Sequence, residues 1–82
     1  MLIADTADFA VTSWGNGWAY KLTNKAAKTD VFFQDDSAIE FRTLWESYEL
    51  AYPDFCTNTI LRFIYREYQD LAAPIGWAHA DA

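Results

Sequence analysis

The chain has 82 residues, 52% of them hydrophobic and 18% aromatic, and its six basic and twelve acidic residues leave a formal charge of −6. That length supports one domain, residues 1–82, with a single small core, and that charge repels phosphate backbones, so direct nucleic-acid binding is not expected. A lone cysteine, Cys56, excludes an internal disulfide and a cysteine-cluster metal site.

Met1 to Ala7 reads as a lead-in to the fold. The first ten residues carry no basic stretch and include Asp5 and Asp8, which is not the pattern of a signal peptide. No apolar run reaches the roughly 20 residues of a membrane span. With a single thiol, the expected setting is a reducing one, the cytoplasm.

Trp14-Gly15-Asn16-Gly17-Trp18 is the strongest local signal. Asn-Gly between two β-rich runs predicts a type I′ hairpin turn, because both central residues need positive φ. The turn pairs Gly15 with Trp18, Trp14 with Ala19, Ser13 with Tyr20, Thr12 with Lys21 and Val11 with Leu22. One strand is expected over Asp8 to Trp14 and a second over Trp18 to Thr23. Alternation then puts Phe9, Val11, Trp18, Tyr20 and Leu22 on a core face. Ala10, Thr12, Trp14, Ala19, Lys21 and Thr23 take the other.

Asn24 to Lys28 is a polar loop with two lysines, followed by a β-branched and aromatic strand, Thr29 to Gln34, with Val31 and Phe33 inside and Phe32 outside. Ser37-Ala38-Ile39-Glu40 matches a capping box. A helix is predicted from Ser37 to Ala51, with an inward stripe of Ala38, Phe41, Leu44, Trp45, Tyr48 and Ala51. Arg42 and Glu46 sit one turn apart on its outer side. Pro53 breaks that helix. A second is predicted from Asp54 or Thr57 to about Ala72, burying Ile60, Leu61, Ile64, Tyr68 and Leu71 and turning Arg62, Arg66 and Gln69 outward. Pro74 stops it, and residues 75–82 form an irregular tail. The expected fold class is α+β: a three-stranded antiparallel sheet, a hairpin plus a third strand, followed by two helices packed on one face.

Catalytic and metal signatures are not found. His79 lies in the tail without rigid co-ligands. Cys56, near a helix start but with no basic neighbour in sequence, reads as a small buried residue. The carboxylates of Asp30, Asp35, Asp36 and Glu40 lack the spacing of a calcium loop. No phosphate loop or dinucleotide fingerprint is present. No catalytic residue, metal or cofactor is therefore expected.

Function then rests on surfaces. Trp14, on the open sheet face, is either an anchor for a partner or covered by the Trp77 tail. The acidic cluster Asp30, Asp35, Asp36 and Glu40 suits a basic partner, or is a solvated face. Arg62 and Arg66 can pair with acidic residues of this or another chain. The hairpin around Trp14-Gly15-Asn16-Gly17-Trp18, followed by Val31-Phe32-Phe33-Gln34-Asp35-Asp36 leading into a helix, resembles small acidic accessory proteins of phages and mobile elements, among them the anti-CRISPR proteins. The resemblance is one of layout over residues 8–50 and carries no site residues across. It implies a non-catalytic inhibitor that covers a basic or nucleic-acid-binding surface of a larger protein in the host cytoplasm. The alternative is a small homodimer or adaptor without inhibitory role.

Overall fold

The computed structural model describes residues 1–15 and 17–75. The elements run β1 (Leu2–Asp5), β2 (Phe9–Trp14), β3 (Ala19–Asn24), β4 (Thr29–Gln34), α1 (Asp36–Ala51), α2 (Thr57–Tyr68), a 3-10 turn at Gln69–Leu71, and β5 (Ala73–Pro74). The strands form one antiparallel sheet in the order β1-β2-β3-β4-β5. The class is α+β with both helices on one face, but the sheet has five strands rather than three.

The central hairpin takes the expected register: Trp14 faces Ala19, Ser13 faces Tyr20, Thr12 faces Lys21 and Val11 faces Leu22. Pairing stops there. The Trp14 carbonyl accepts from the N–H groups of both Gly17 and Trp18, at 3.2 and 3.0 Å, and Gly15 has φ +58°. The chain thus leaves the strand before Trp18, so the alternation never reaches that side chain. Trp18 is 63% exposed, not in the core. Gly17 has the positive φ the turn demands, at +93°; Asn16, the other half of the turn pair, lies outside the described residues.

Phe9, Val11, Tyr20, Leu22, Val31 and Phe33 form the buried sheet face, closed by Ala38 and Phe41 of α1 and by Ile60, Leu61 and Ile64 of α2. Phe41 is its centre. Its ring stacks on Phe33 at 4.5 Å and meets Tyr20 at 5.2 Å and Trp45 at 5.7 Å. The ends of both inward stripes fail: Ala51 and Leu71 are exposed. Ala51 is the last residue of α1, and Leu71 lies beyond α2 in the 3-10 turn, where the tighter winding turns it off the helical stripe.

Both added strands are edges. β1 replaces the expected lead-in, pairing Leu2 with Thr12, Ala4 with Val11 and Asp5 with Ala10 around an irregularity at Ile3. The terminal ammonium donates to the Ser13 carbonyl at 2.6 Å. β5 pairs Ala73 with Asp30 and Pro74 with Thr29. An edge strand tolerates Pro74, since no ladder bond needs its missing N–H. α2 has already ended at Tyr68, so the proline does not stop it.

The helix starts also differ from expectation. The N-cap of α1 is Asp35, two residues before the predicted cap, and it makes no side-chain capping bond. Ser37 instead reaches back to Gln34, accepting from its N–H at 2.9 Å and donating to its carbonyl at 2.8 Å. Glu40 accepts from the Tyr68 hydroxyl. The capping box is therefore not formed. At α2 the N-cap is Cys56, which is exposed rather than buried, with Sγ 3.3 Å from the Thr59 hydroxyl. That hydrogen bond holds the thiol pKa below its usual value.

Asn58 ties α2 to the β1–β2 turn. Its Oδ1 accepts from the Thr6 hydroxyl at 2.6 Å and the Asp8 N–H at 2.9 Å, and its Nδ2 donates to Asp8 Oδ2 at 2.9 Å. The bonds from Asn58 first, then Arg62, hold the Asp8 carboxyl below the usual carboxylate range. A depressed folded pKa contributes stability above the unfolded value near 4, and this is lost as pH falls through the folded value. Asn58→Ala should cost about 2 kcal/mol through the two bonds to Oδ1, and should also flatten the acid limb of a stability-versus-pH curve. Urea melts at neutral and acidic pH read both effects.

Among the described residues, no helix is long and apolar enough to cross a membrane.

Candidate binding surfaces

The strand register sorts the candidate residues by place. Trp14, Ala19 and Gln34 lie in one row across β2, β3 and β4, and Asp35 and Asp36 follow directly. On the same helix-free face Trp14 meets Phe32 at 5.6 Å, and Lys21 Nζ stands 5.9 Å from the Trp14 ring. Trp14 is 39% exposed and Phe32 37%. Three candidates therefore share one end of the sheet: Trp14, Asp35 and Asp36. The tail residue Trp77, considered as a cover for Trp14, lies outside the described residues.

Asp35 has φ +55° and ψ −126°, a conformation that suits glycine, and its side chain caps nothing. Such a backbone costs on the order of 1–3 kcal/mol. Asp35→Gly should therefore raise stability by about 1 kcal/mol, once the added entropy of an unfolded glycine is set against the strain relieved. An upward shift in the urea midpoint with unchanged slope is the expected reading; a downward shift would mean that the carboxylate supports the helix start.

Asp30 leaves the acidic rim. It sits at the other end of β4, only 4% exposed, with Oδ1 accepting from Thr23 Oγ1 at 2.6 Å and Oδ2 buried without a hydrogen bond. Strand pairing on both sides encloses it: Thr23 of β3 and Ala73 of β5 flank it. Ala19, on the same helix-free face, is also buried, so this face is not uniformly open to solvent. Glu40 remains exposed but is engaged by Tyr68.

Arg62 and Arg66 lie at the opposite end from Trp14. With Asp8, Asn24, Tyr65 and Gln69 they line a cleft of about 370 Å³. Arg62 donates to Asp8 Oδ2 at 2.9 Å, so it is committed within the chain. The two arginines and the Trp14 cluster do not form one site.

One cluster escaped sequence reasoning. Where α1 turns into α2, the rings of Tyr48, Tyr52, Phe55 and Phe63 line a cleft of about 350 Å³. The signal was present but scattered: aromatic residues bracket Pro53, and no lysine or arginine occurs between Arg42 and Arg62.

Among the described residues, no group of three or more His, Cys, Asp and Glu side chains is placed to hold a metal ion. His79 lies outside them. Comparison with protein-family models, curated protein sequences and solved structures finds no match to this chain.

Proposed function

We propose that the chain is a non-catalytic protein-binding module that covers a basic, nucleic-acid-binding surface of a larger protein, in the manner of an anti-CRISPR-type phage inhibitor. Its uncompensated acidity supports this reading. Among the described residues three ion pairs form, Lys25–Asp5, Arg42–Glu46 and Arg62–Asp8. Each takes one acid and one base, so the excess of six acidic charges in the chain is untouched. Asp35 and Asp36 are exposed and outside every one of those pairs, beside the Trp14–Phe32 contact. Acidic groups flanking an aromatic contact suit a partner rich in lysine and arginine, with charge steering the encounter and the ring anchoring the complex.

The test is kinetic. A partner captured from host lysate should associate more slowly as salt rises, because screening shortens the reach of these charges to about 8 Å at physiological ionic strength. Replacing Asp35 and Asp36 with lysine should act mainly on the on-rate, and Trp14→Ala mainly on the off-rate. Cognate DNA or RNA should compete with this protein for the partner. Salt-independent association with unimpeded nucleic-acid binding would overturn the proposal.

A further inference from the structure

The aromatic cleft at the turn between α1 and α2 has a geometry that the proposed function does not use. Its four rings form a closed circuit of contacts: Tyr48 to Tyr52 at 6.1 Å, Tyr52 to Phe55 at 4.9 Å, Phe55 to Phe63 at 5.8 Å and Phe63 to Tyr48 at 5.9 Å. Neighbouring planes differ by only 28°, 12°, 37° and 26° in the same order. Tyr52 and Phe55 are 45% and 41% exposed. The rings are more than a patch of core filler, because the space they line remains open.

A carboxylate adjoins the cleft. Asp54 lies between the cleft residues Tyr52 and Phe55 in the chain. Tyr48, one wall of the cleft, donates its hydroxyl hydrogen to Glu67 Oε2 at 2.9 Å. That carboxylate pushes the Tyr48 pKa up, so the phenol stays neutral and its ring keeps its hydroxyl hydrogen at neutral pH. Glu67 Oε1 is left as an acceptor. Aromatic faces beside an uncompensated carboxylate attract a cation.

The ring orientations select which cation. A cage for a tetrahedral ammonium needs faces converging from several directions, with planes near right angles. Near-parallel rings instead match a flat cation layered against them, and guanidinium is planar, weakly hydrated and forked toward carboxylates. We infer that this cleft is a slot for an arginine side chain of the basic partner, the guanidinium lying along the rings and hydrogen-bonding Glu67. The inference rests on the reading of the chain as a binder of a basic protein surface, and names one residue type that surface must offer.

The experiment is a backbone and aromatic NMR titration of the whole chain with three blocked tripeptides of the form Gly-X-Gly. X is arginine, its neutral isostere citrulline, or trimethyllysine. The arginine peptide should shift the signals of Tyr48, Tyr52, Phe55 and Phe63. Citrulline should bind about three- to thirtyfold more weakly, the range of a cation–π contact from exposed to desolvated. Tyr52→Leu and Phe55→Leu, each at an exposed ring outside the core, should weaken arginine binding by a similar factor while leaving the remaining spectrum folded. Trimethyllysine binding as tightly as arginine would overturn the slot in favour of a general cation cage. Equal binding of citrulline would overturn it as a charge-selective site. Arginine shifts confined to the surroundings of Asp35, Asp36 and Glu40 would also overturn the slot, while the reading of a basic partner would stand.

Discussion

Phe41→Ala is expected to cost about 4 kcal/mol, the largest single loss in this domain. Phe41 is fully buried, and truncating a buried phenylalanine typically costs roughly 3–5 kcal/mol through lost transfer energy and the residual cavity. The site cannot collapse easily. Phe33, Tyr20 and Trp45 contact the ring from the sheet and from α1 itself, and Phe33 is also held edge-on by Tyr68. Total stability for a chain of this length is about 4–12 kcal/mol, so the variant stands near the limit of folding at 25 °C. Urea denaturation should show a large fall in midpoint. A loss under about 2 kcal/mol would mean that the helices and sheet are held together elsewhere, through α2.

Gly17→Val is the second, at about 2–3 kcal/mol. Two effects act together. At φ +93° a β-branched residue is strained, and a Cβ there would come within 2.7 Å of the Tyr20 hydroxyl oxygen. Tyr20 is buried against Phe41, so its ring has little room to withdraw. Gly15→Asn separates the effects, since φ +58° is the left-handed region that asparagine tolerates. A Cβ there would stand 3.0 Å from Trp18 Cβ, a looser approach than the 2.7 Å at Gly17, so the variant should cost about 1 kcal/mol by the same melt. Equal losses at both positions would assign the effect to the loop as a whole, and no special role would remain for Gly17.

The candidate surfaces were legible in proportion to how local they are. Trp14, Asp35 and Asp36 were readable because a strand register and a helix start place them at one end of the sheet. The Arg42–Glu46 pair was readable for the same reason, as a one-turn spacing. Asp30 was misread, because its enclosure comes from β3 on one side and β5 on the other. The four rings at the α1–α2 turn went unnoticed as a group, since Phe63 enters from a different helix than Tyr48, and only their packing reveals the near-parallel planes.

The sequence by itself determined the β2–β3 register, the bounds of β4, the two helices and most of the buried face. Each of these follows from a signal carried within the segment: alternation along Phe9 to Trp14, the Asn16-Gly17 turn pair, three- and four-residue spacing from Ala38 to Tyr48, and the break at Pro53. Only the tertiary structure decided the edges. Leu2–Asp5 and Ala73–Pro74 carry no clear alternation and become strands because β2 and β4 present open rows of N–H and C=O groups that must be satisfied. The same dependence on a neighbour decides the polar side chains. Ser37 turned to Gln34, Glu40 to Tyr68 and Asn58 to Thr6 and Asp8, because a hydrogen bond is settled by whichever group the fold brings within about 3 Å.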